Sequence, residues 1–350
     1  MKESEEKTPW RVAVIGGGIS GLAAAHRLLE RSRDAGSALE ILLLEASAQT
    51  GGILRTHRRD QFLLEGGPDS FISEKPEAIR LIERLGLSSH LIETNESHRR
   101  SFIVRKGRLL PVPEGFQLLA PSSFWPFITT GIFSWAGKAR MALDLVLPRR
   151  AAAATGVDDE SLAQFVRRRL GREALERMAQ PMVGGIYTAD PERLSLRSTM
   201  PRFLEMERTH RSVIRAMWNN RRRQNNAQAA GTSGARYSLF LSLDDGMQML
   251  TDELALRLPA AAVKLKTRVE SLRFDEQARQ WMIYARDESF RADAVCIALP
   301  AYGASALLRT TNEQLAKELA EIPYASTATV NLAFRRRDIP HPLDGFGFVV

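Results

Sequence analysis

The feature that most constrains this chain is a glycine-rich turn between two apolar stretches. Residues 12–15 read as a buried strand, the turn GGGISG occupies 16–21, and alanine and leucine at helical spacing follow it. In such a turn the first glycine permits a tight bend, the middle one lets the backbone approach a pyrophosphate, and the last lets helix and strand pack closely. A second buried run ends on Glu45. The sequence therefore predicts a βαβ unit that binds a dinucleotide at the start of its helix.

Glu45 and the glycines that follow it narrow the kind of dinucleotide. A carboxylate at the end of the second strand accepts hydrogen bonds from an adenosine ribose and disfavours the 2′-phosphate of NADP. Two more glycine pairs come next, Gly51-Gly52 and Gly66-Gly67. A classical NAD dehydrogenase would continue into further βα units at this point. The order of motifs therefore departs from that of a classical NAD dehydrogenase.

Longer stretches resemble a known family. The strands VKLKTRVESL and ADAVCIALP, with the glycine pairs, resemble the flavin-containing amine oxidase superfamily. GPDSFISEKPEAIRLIERLGL, FSWAGKARMALDLVLP, PMVGGIYTADPERLSLRSTMP and DDGMQML are similar to its porphyrinogen oxidases of haem synthesis. Members continue through another strand and a closing glycine turn, whereas this sequence stops at GFGFVV, so we expect a C-terminally truncated member.

The motifs and the resemblance together define the candidate cofactor site. The resemblance places the second glycine pair at the flavin diphosphate, the third near the isoalloxazine ring, and a valine of the returning strand at the adenine. The expected FAD-binding residues are Gly16, Gly17, Gly18, Ile19, Ser20, Gly21, Glu45, Ala46, Gly51, Gly52, Arg55, Gly67, Pro68, Asp69, Ser70 and Val269.

The resemblance implies a six-electron oxidation of a porphyrinogen to a porphyrin. Three rounds would consume three oxygen molecules and release three hydrogen peroxides, with coproporphyrinogen III, protoporphyrinogen IX or both as substrate. The flavin would carry the redox step, so we expect no catalytic side chain and no metal site; the histidines show no ligand spacing. Lys75 is the candidate for binding a substrate propionate, and Gly185 and Ile186 are candidates for the pocket wall.

Two other functions stay open at this point. One is a flavin oxidase acting on amines or carotenoids; the other is a non-catalytic, membrane-associated binding protein. The net charge of +8 is the only feature that favours nucleic acid, and no motif supports it, so we expect no nucleic-acid partner. A homodimer and a haem-pathway partner enzyme both stay open.

Composition and one aromatic segment bear on location. The start, MKESEEKTPW, lacks the apolar stretch of a signal peptide, and a single cysteine fits a reducing compartment, so we expect a cytoplasmic protein. Residues 116–137 carry no charge but contain two prolines and several polar residues, which argues against a membrane span. Tryptophans followed by basic residues suit contact with the inner face of a membrane, and a buried helical hairpin is the alternative.

The order of patterns predicts an α/β fold with a discontinuous Rossmann-like FAD-binding domain, an inserted helical domain and a second mixed-sheet substrate domain. We assign 1–75 and 236–305 to the FAD-binding domain, and 76–218 to a largely helical, substrate-binding region that includes the aromatic segment. The low-complexity stretch 219–235 is predicted as a flexible loop, and 306–350 as the start of the substrate-domain sheet.

Overall fold

The chain folds into two compact units. The computed structural model describes residues 9–95, 98, 100–105, 107–112, 116–117, 120–121, 124–150, 159–187, 189–229 and 240–350. The first unit comprises 1–94 and 237–333, and the second comprises 95–236 and 334–350. Each unit is therefore built from two separate pieces of the chain.

The described residues form both strands and helices, often in runs of one type. The strands are Trp10–Ile15, Leu39–Leu44, Thr56–Arg59, Phe62–Glu65, Phe71–Ile72, Leu91–Glu93, Arg100–Arg105, Arg108–Pro111, Phe116–Gln117, Ala120–Pro121, Phe240–Leu243, Val263–Lys264, Val269–Asp275, Gln280–Ala285, Ser289–Ala292, Ala294–Ile297 and Gly345–Val349. The α-helices are Ile19–Asp34, Pro76–Arg84, Phe124–Thr129, Trp135–Ala142, Leu162–Arg169, Arg172–Ala174, Gln180–Tyr187, Leu196–Thr199, Pro201–His210, Val213–Ala229, Gln248–Leu256, Ala301–Leu308 and Glu313–Ala320. Shorter 3₁₀ turns are Ser88–His90, Leu143–Leu145, Ala260–Ala262 and Arg336–Asp338, and Leu175–Ala179 is a π-helix.

A parallel sheet organises the first unit. Its strand order is Val263–Lys264, Leu39–Leu44, Trp10–Ile15 and Ala294–Ile297, with every pair parallel. Successive residues of strand Trp10–Ile15 enter different cores: Val14 packs in a cluster with residues of helix Ile19–Asp34, whereas Ile15 packs in a cluster with residues of a neighbouring antiparallel sheet. Both faces of the strand are covered, which explains its continuous apolar sequence.

Three smaller antiparallel arrangements complete the first unit. Val269–Asp275, Gln280–Ala285 and Ser289–Ala292 form one sheet, and Phe240–Leu243 lies between Phe71–Ile72 and Leu91–Glu93 in another. Thr56–Arg59 and Phe62–Glu65 form a hairpin between the second and third glycine pairs. The second glycine pair lies beside the carboxyl end of strand Trp10–Ile15, because Gly51 N donates to Gly17 O.

The second unit is mainly helical. Its apolar core draws on helices from Phe124–Thr129 to Val213–Ala229. One three-stranded sheet belongs to it, with the hairpin Arg100–Arg105 and Arg108–Pro111 joined by Gly345–Val349, which pairs in parallel with the first strand of the hairpin.

A network of charged side chains lies beneath the helical surface of the second unit. Asp144 and Arg169 are both fully buried, and Arg169 Nε donates to Asp144 Oδ1 at 2.6 Å. Ser212 Oγ donates to Asp144 Oδ2 at 2.7 Å, so both carboxylate oxygens are satisfied. Arg168 donates to both Glu160 and Glu207 through paired hydrogen bonds of 2.7–2.9 Å. Opposite charges therefore compensate one another in the interior of this unit.

The predicted loop at 219–235 is wrong over its first part. Helix Val213–Ala229 continues through those residues, and the remainder, 230–235, lies outside the described residues. Val213, Ile214 and Met217 are buried and anchor the start of this helix, and arginine, glutamine and alanine then propagate it well. The unit boundaries also differ from the predicted domains, because 76–94 and 306–333 belong to the first unit.

The aromatic segment 116–137 contains two short strands, the whole of helix Phe124–Thr129 and the start of helix Trp135–Ala142. Phe127 and Phe133 are buried, whereas Trp125 and Trp135 are 72% and 73% exposed. Among the described residues, no helix combines the length and the apolar character that crossing a bilayer requires.

Candidate functional site

The turn at 16–21 requires glycine at its different positions for different structural reasons. A Cβ on Gly16, which has φ +108°, would lie 2.6 Å from Ala298 O, and one on Gly21 would lie 1.9 Å from Gly16 O. Both positions therefore exclude any side chain because of the protein's own backbone. Gly18 differs, since its φ is −74° and the nearest atom to an added Cβ would be Gly52 Cα, at 3.8 Å. The fold tolerates a side chain at Gly18, so its glycine leaves room for something outside the polypeptide.

The start of helix Ile19–Asp34 faces this room. Gly18 is the N-cap residue, so no side chain caps the helix, and the first turn contains no acidic residue. The first backbone N–H groups of a helix have no intrahelical partner and lie at the positive end of its dipole. This helix start can therefore bind an anion such as a pyrophosphate.

Glu45 lies at the end of the second parallel strand and is hydrogen-bonded to the turn. Gly17 N donates to Glu45 Oε2 at 2.6 Å, and Ser47 N donates to Oε1 at 2.7 Å. Burial alone would raise the pKa of Glu45, but the hydrogen bonds from Ser47 and Gly17 lower it by more. The pKa of Glu45 is therefore below its ordinary value. The carboxylate is therefore ionised at neutral pH, and each oxygen keeps a lone pair for a hydroxyl donor.

The second glycine segment, 50–55, is attached to the first. Gly51 N donates to Gly17 O at 2.8 Å, and a Cβ on Gly52 would lie 3.1 Å from Gly18 Cα. Gly51 and Gly52 have φ of +109° and +60°, which favour glycine. The structure thus brings two of the predicted glycine segments together around Gly18, as a site for two linked phosphates requires.

Arg55 and the third glycine pair follow on the same side of the first unit. Arg55 Nη1 donates to Thr50 O at 2.9 Å, and its positive charge contributes to lowering the pKa of Glu45. A Cβ on Gly67 would lie 2.0 Å from Ile53 O, so Gly67 has an intramolecular reason to be glycine. The third pair therefore packs against the second glycine segment.

The residues after Gly67 are positioned by strand Phe240–Leu243. Ser242 Oγ donates to Asp69 O at 2.6 Å, and Ser70 Oγ donates to Asp69 Oδ1 at 2.8 Å. Pro68 and Asp69 are exposed.

Sequence reasoning missed the residues that hold the second and third segments in place. Thr56 N donates to Gln248 Oε1 at 3.0 Å, Gln248 N donates to Thr56 Oγ1 at 3.1 Å, and Thr56 Oγ1 donates to Glu65 Oε2 at 2.9 Å. Glu65 also accepts from Met247 N at 2.7 Å. The motif DDGMQML carried this signal, because Gly246 has φ +92° and an added Cβ would clash with Thr56.

Val269 lies near the end of the second parallel strand. Lys266 N donates to Ser47 O and Thr267 N donates to Glu45 O, both at 2.8 Å. These bonds hold the start of strand Val269–Asp275 beside Glu45, and Val269 packs against the core cluster that contains Ile15.

The candidate substrate residues belong to different units. Lys75 is exposed in the first unit and is the N-cap residue of helix Pro76–Arg84. Gly185 and Ile186 lie near the end of helix Gln180–Tyr187 in the second unit. Within the part of the chain that the structure describes, no group of three or more His, Cys, Asp and Glu side chains is arranged to hold a metal ion.

Comparison with known proteins assigns the family. The model of the flavin-containing amine oxidoreductases matches residues 19–348, and the chain belongs to this family. The glycine cradle around Gly18 and the carboxylate of Glu45 fit the diphosphate and ribose of its flavin dinucleotide.

Individual curated relatives have more specific names than the family as a whole. The chain is 34% identical over 339 residues to the coproporphyrinogen III oxidase of Bacillus subtilis, covering 97% of this chain and 70% of the relative. It is 37% identical over 346 residues to that of Propionibacterium freudenreichii, covering 92% and 63%. The chain thus spans 63–70% of the length of these two curated relatives.

Solved structures agree on the fold. A crystal structure assigned to the protoporphyrinogen oxidases, from Exiguobacterium sp. 255-15, superposes with a TM-score of 0.74 at 27% identity, covering 90% of this chain and 64% of that chain. A cyclohexylamine oxidase from Brevibacterium oxydans IH-35A gives a TM-score of 0.56 at 18% identity, covering 89% and 63%, a likeness in fold alone.

Proposed function

We propose that this chain binds FAD and oxidises coproporphyrinogen III to coproporphyrin III with oxygen as electron acceptor, in haem biosynthesis. The observation that supports FAD binding is the space at Gly18, which lies between two hydrogen-bonded glycine segments and the start of a helix. The relatives named coproporphyrinogen III oxidase, which align over nearly the whole chain, support the substrate. Protoporphyrinogen IX is the second substrate to test, because further relatives are protoporphyrinogen oxidases.

In this proposal, each part of the site has a role in holding FAD. The turn at 16–21 and the glycines at 51–52 bind the diphosphate, and Arg55 adds a positive charge. Glu45 accepts the ribose hydroxyls beside Ala46, and Val269 contacts the adenine. Residues 67–70 lie toward the flavin ring.

The chain's own residues bind and orient the substrate, and the cofactor supplies the redox chemistry. When bound, FAD would supply the redox chemistry, as hydride acceptor for the substrate and electron donor to oxygen. Lys75 attracts a propionate of the porphyrinogen, because its ammonium is exposed to solvent and can donate to a carboxylate. Gly185 and Ile186 form part of the pocket wall.

The finer architecture and location belong to the same proposal. The first unit corresponds to a discontinuous Rossmann-like FAD-binding domain, and the helical part and the sheet of the second unit to substrate-binding regions. Trp125 and Trp135 are exposed, and the exposed Arg149 follows them in the sequence. Aromatic side chains with nearby cations suit the surface of an anionic membrane, so we place the protein in the cytoplasm with peripheral membrane contact.

The experiment is aerobic incubation of the FAD-loaded chain with coproporphyrinogen III and with protoporphyrinogen IX, followed by porphyrin fluorescence. Fluorescence should rise faster than in cofactor-free protein and in an anaerobic sample. Peroxide released with amines or carotenoids, but no porphyrin, would instead assign one of the other flavin oxidases. A flavin-loaded chain that oxidises none of these substrates would contradict the proposal.

A further inference from the structure

The second unit contains a cavity that the cofactor site does not use. Its volume is about 610 Å³, within the roughly 300–1,000 Å³ of small-molecule sites. Strand Arg100–Arg105 and helix Gln180–Tyr187 both contribute to its wall. Ile103, Leu110 and Ile132 line it with apolar surface, and Arg105 and Arg177 line it with guanidinium groups.

The two arginines converge on one backbone carbonyl. Arg105 Nη1 donates to Ile132 O at 2.7 Å and to Gly131 O at 3.0 Å, and Arg177 Nη1 donates to the same Ile132 O at 3.1 Å. Two like charges are therefore held close together at the cavity wall. Every hydrogen bond that these arginines make with the described residues uses Nη1, so Nε and Nη2 keep their donors for another acceptor.

The carboxylates nearby do not balance this charge. Glu173 is paired with Arg177, and Glu176 is paired with Arg172. Arg105 makes no ion pair with a carboxylate of the described residues, although its charge contributes, after that of Arg177, to lowering the pKa of Glu173. Arg105, Arg177 and Glu176 are the charged side chains among the described residues of this wall, so positive charge exceeds negative charge there beside apolar surface. A guanidinium presents its donors in a fork that matches a carboxylate.

We propose that this cavity binds a carboxylate attached to an apolar body. The guanidiniums of Arg105 and Arg177 hold the carboxylate, and Ile103 and Leu110 contact the apolar part. A porphyrin propionate and a fatty acid share this chemistry, so the experiment includes both. The inference concerns binding alone and does not rest on the proposed oxidation.

The test measures binding to the full chain by isothermal titration calorimetry. The acids are coproporphyrin III and dodecanoate, and their neutral counterparts are coproporphyrin III tetramethyl ester and dodecanol. Arg105→Gln and Arg177→Gln should each raise the Kd of at least one acid roughly tenfold or more, the effect of losing a hydrogen bond to a charged group. The acid that responds identifies the ligand.

Arg108→Gln is the matched control, because Arg108 lies opposite Arg105 on the same hairpin but does not line the cavity. Arg105→Lys keeps the charge and loses the fork, so it should bind the acid with intermediate affinity while unfolding at the parent's midpoint. The proposal is overturned if neither acid binds the parent. It is equally overturned if Arg108→Gln weakens the acid as much as Arg105→Gln does, or if the neutral counterpart binds as tightly as its acid.

Discussion

Replacing Gly18 with alanine should separate FAD binding from folding. The backbone at Gly18 has φ −74° and ψ 179°, which any residue adopts, and an added Cβ would meet only Gly52 Cα, at an ordinary 3.8 Å. We therefore expect the free energy of unfolding of the cofactor-free chain to change by less than about 1 kcal/mol. The methyl group would occupy the space that the diphosphate needs, which removes at least one hydrogen bond to a charged group. That loss is about 1.5–3 kcal/mol, or roughly 10- to 150-fold in Kd.

Gly21→Ala is the contrasting variant, because its Cβ would lie 1.9 Å from Gly16 O and must shift the backbone. Chemical denaturation without cofactor, and titration with FAD followed by flavin fluorescence, measure the two quantities. Gly18→Ala should lose affinity alone, whereas Gly21→Ala should lose affinity and stability together. The reasoning is refuted if Gly18→Ala binds FAD as tightly as the parent, or if it is destabilised as much as Gly21→Ala.

Three further predictions concern charged side chains. Because folding lowers the pKa of Glu45, the ionised carboxylate stabilises the fold above the ordinary pKa of 4.5, and this stabilisation is lost as the pH falls through the lowered pKa. The difference in unfolding free energy between the parent and Glu45→Gln should therefore shrink below about pH 4.5. A difference that is constant with pH would contradict this. Lys75→Glu should raise KM for coproporphyrinogen III, less so at high salt, with an unchanged flavin spectrum. Equal KM values in Lys75→Glu and in Arg286→Glu, an exposed control, would demote Lys75. Arg169→Met should cost about 3–5 kcal/mol in urea denaturation, because it leaves a buried carboxylate unpaired. The exposed Arg167→Met should cost little, and equal losses in the two variants would argue against the buried pair.

The glycine turn and Glu45 could be predicted from the sequence because local chemistry dictates them. A strand, three spaced glycines and a helix leave few alternatives, and a carboxylate closing the next parallel strand must lie near the turn. The sequence also predicts internal reasons for Gly16 and Gly21, a tight bend and close helix–strand packing, and room for a pyrophosphate at Gly18. The distances from each added Cβ to the nearest backbone atoms, which only the folded chain provides, are consistent with that division.

Other features depended on partners distant in sequence. Glu65 and Gln248 meet at Thr56 through hydrogen bonds that no local pattern indicates. Low complexity favoured a loop at 219–235, but tertiary packing at Val213 and Ile214 decides the helix. The three members of the run Arg167–Arg168–Arg169 are chemically identical yet differ in burial, because a helix points successive side chains in different directions.

The buried pair of Asp144 and Arg169 also limits how this sequence can change over time. A replacement that removes the charge of Arg169 leaves the buried carboxylate of Asp144 without its ion-pair partner, at a cost comparable with much of a domain's total stability. A marginally stable protein does not tolerate such an intermediate, so we expect a loss of charge at Arg169 to accompany a change at Asp144. An alignment of close relatives should show them varying as a pair or not at all, and Ser212, which donates to the same carboxylate, should follow them.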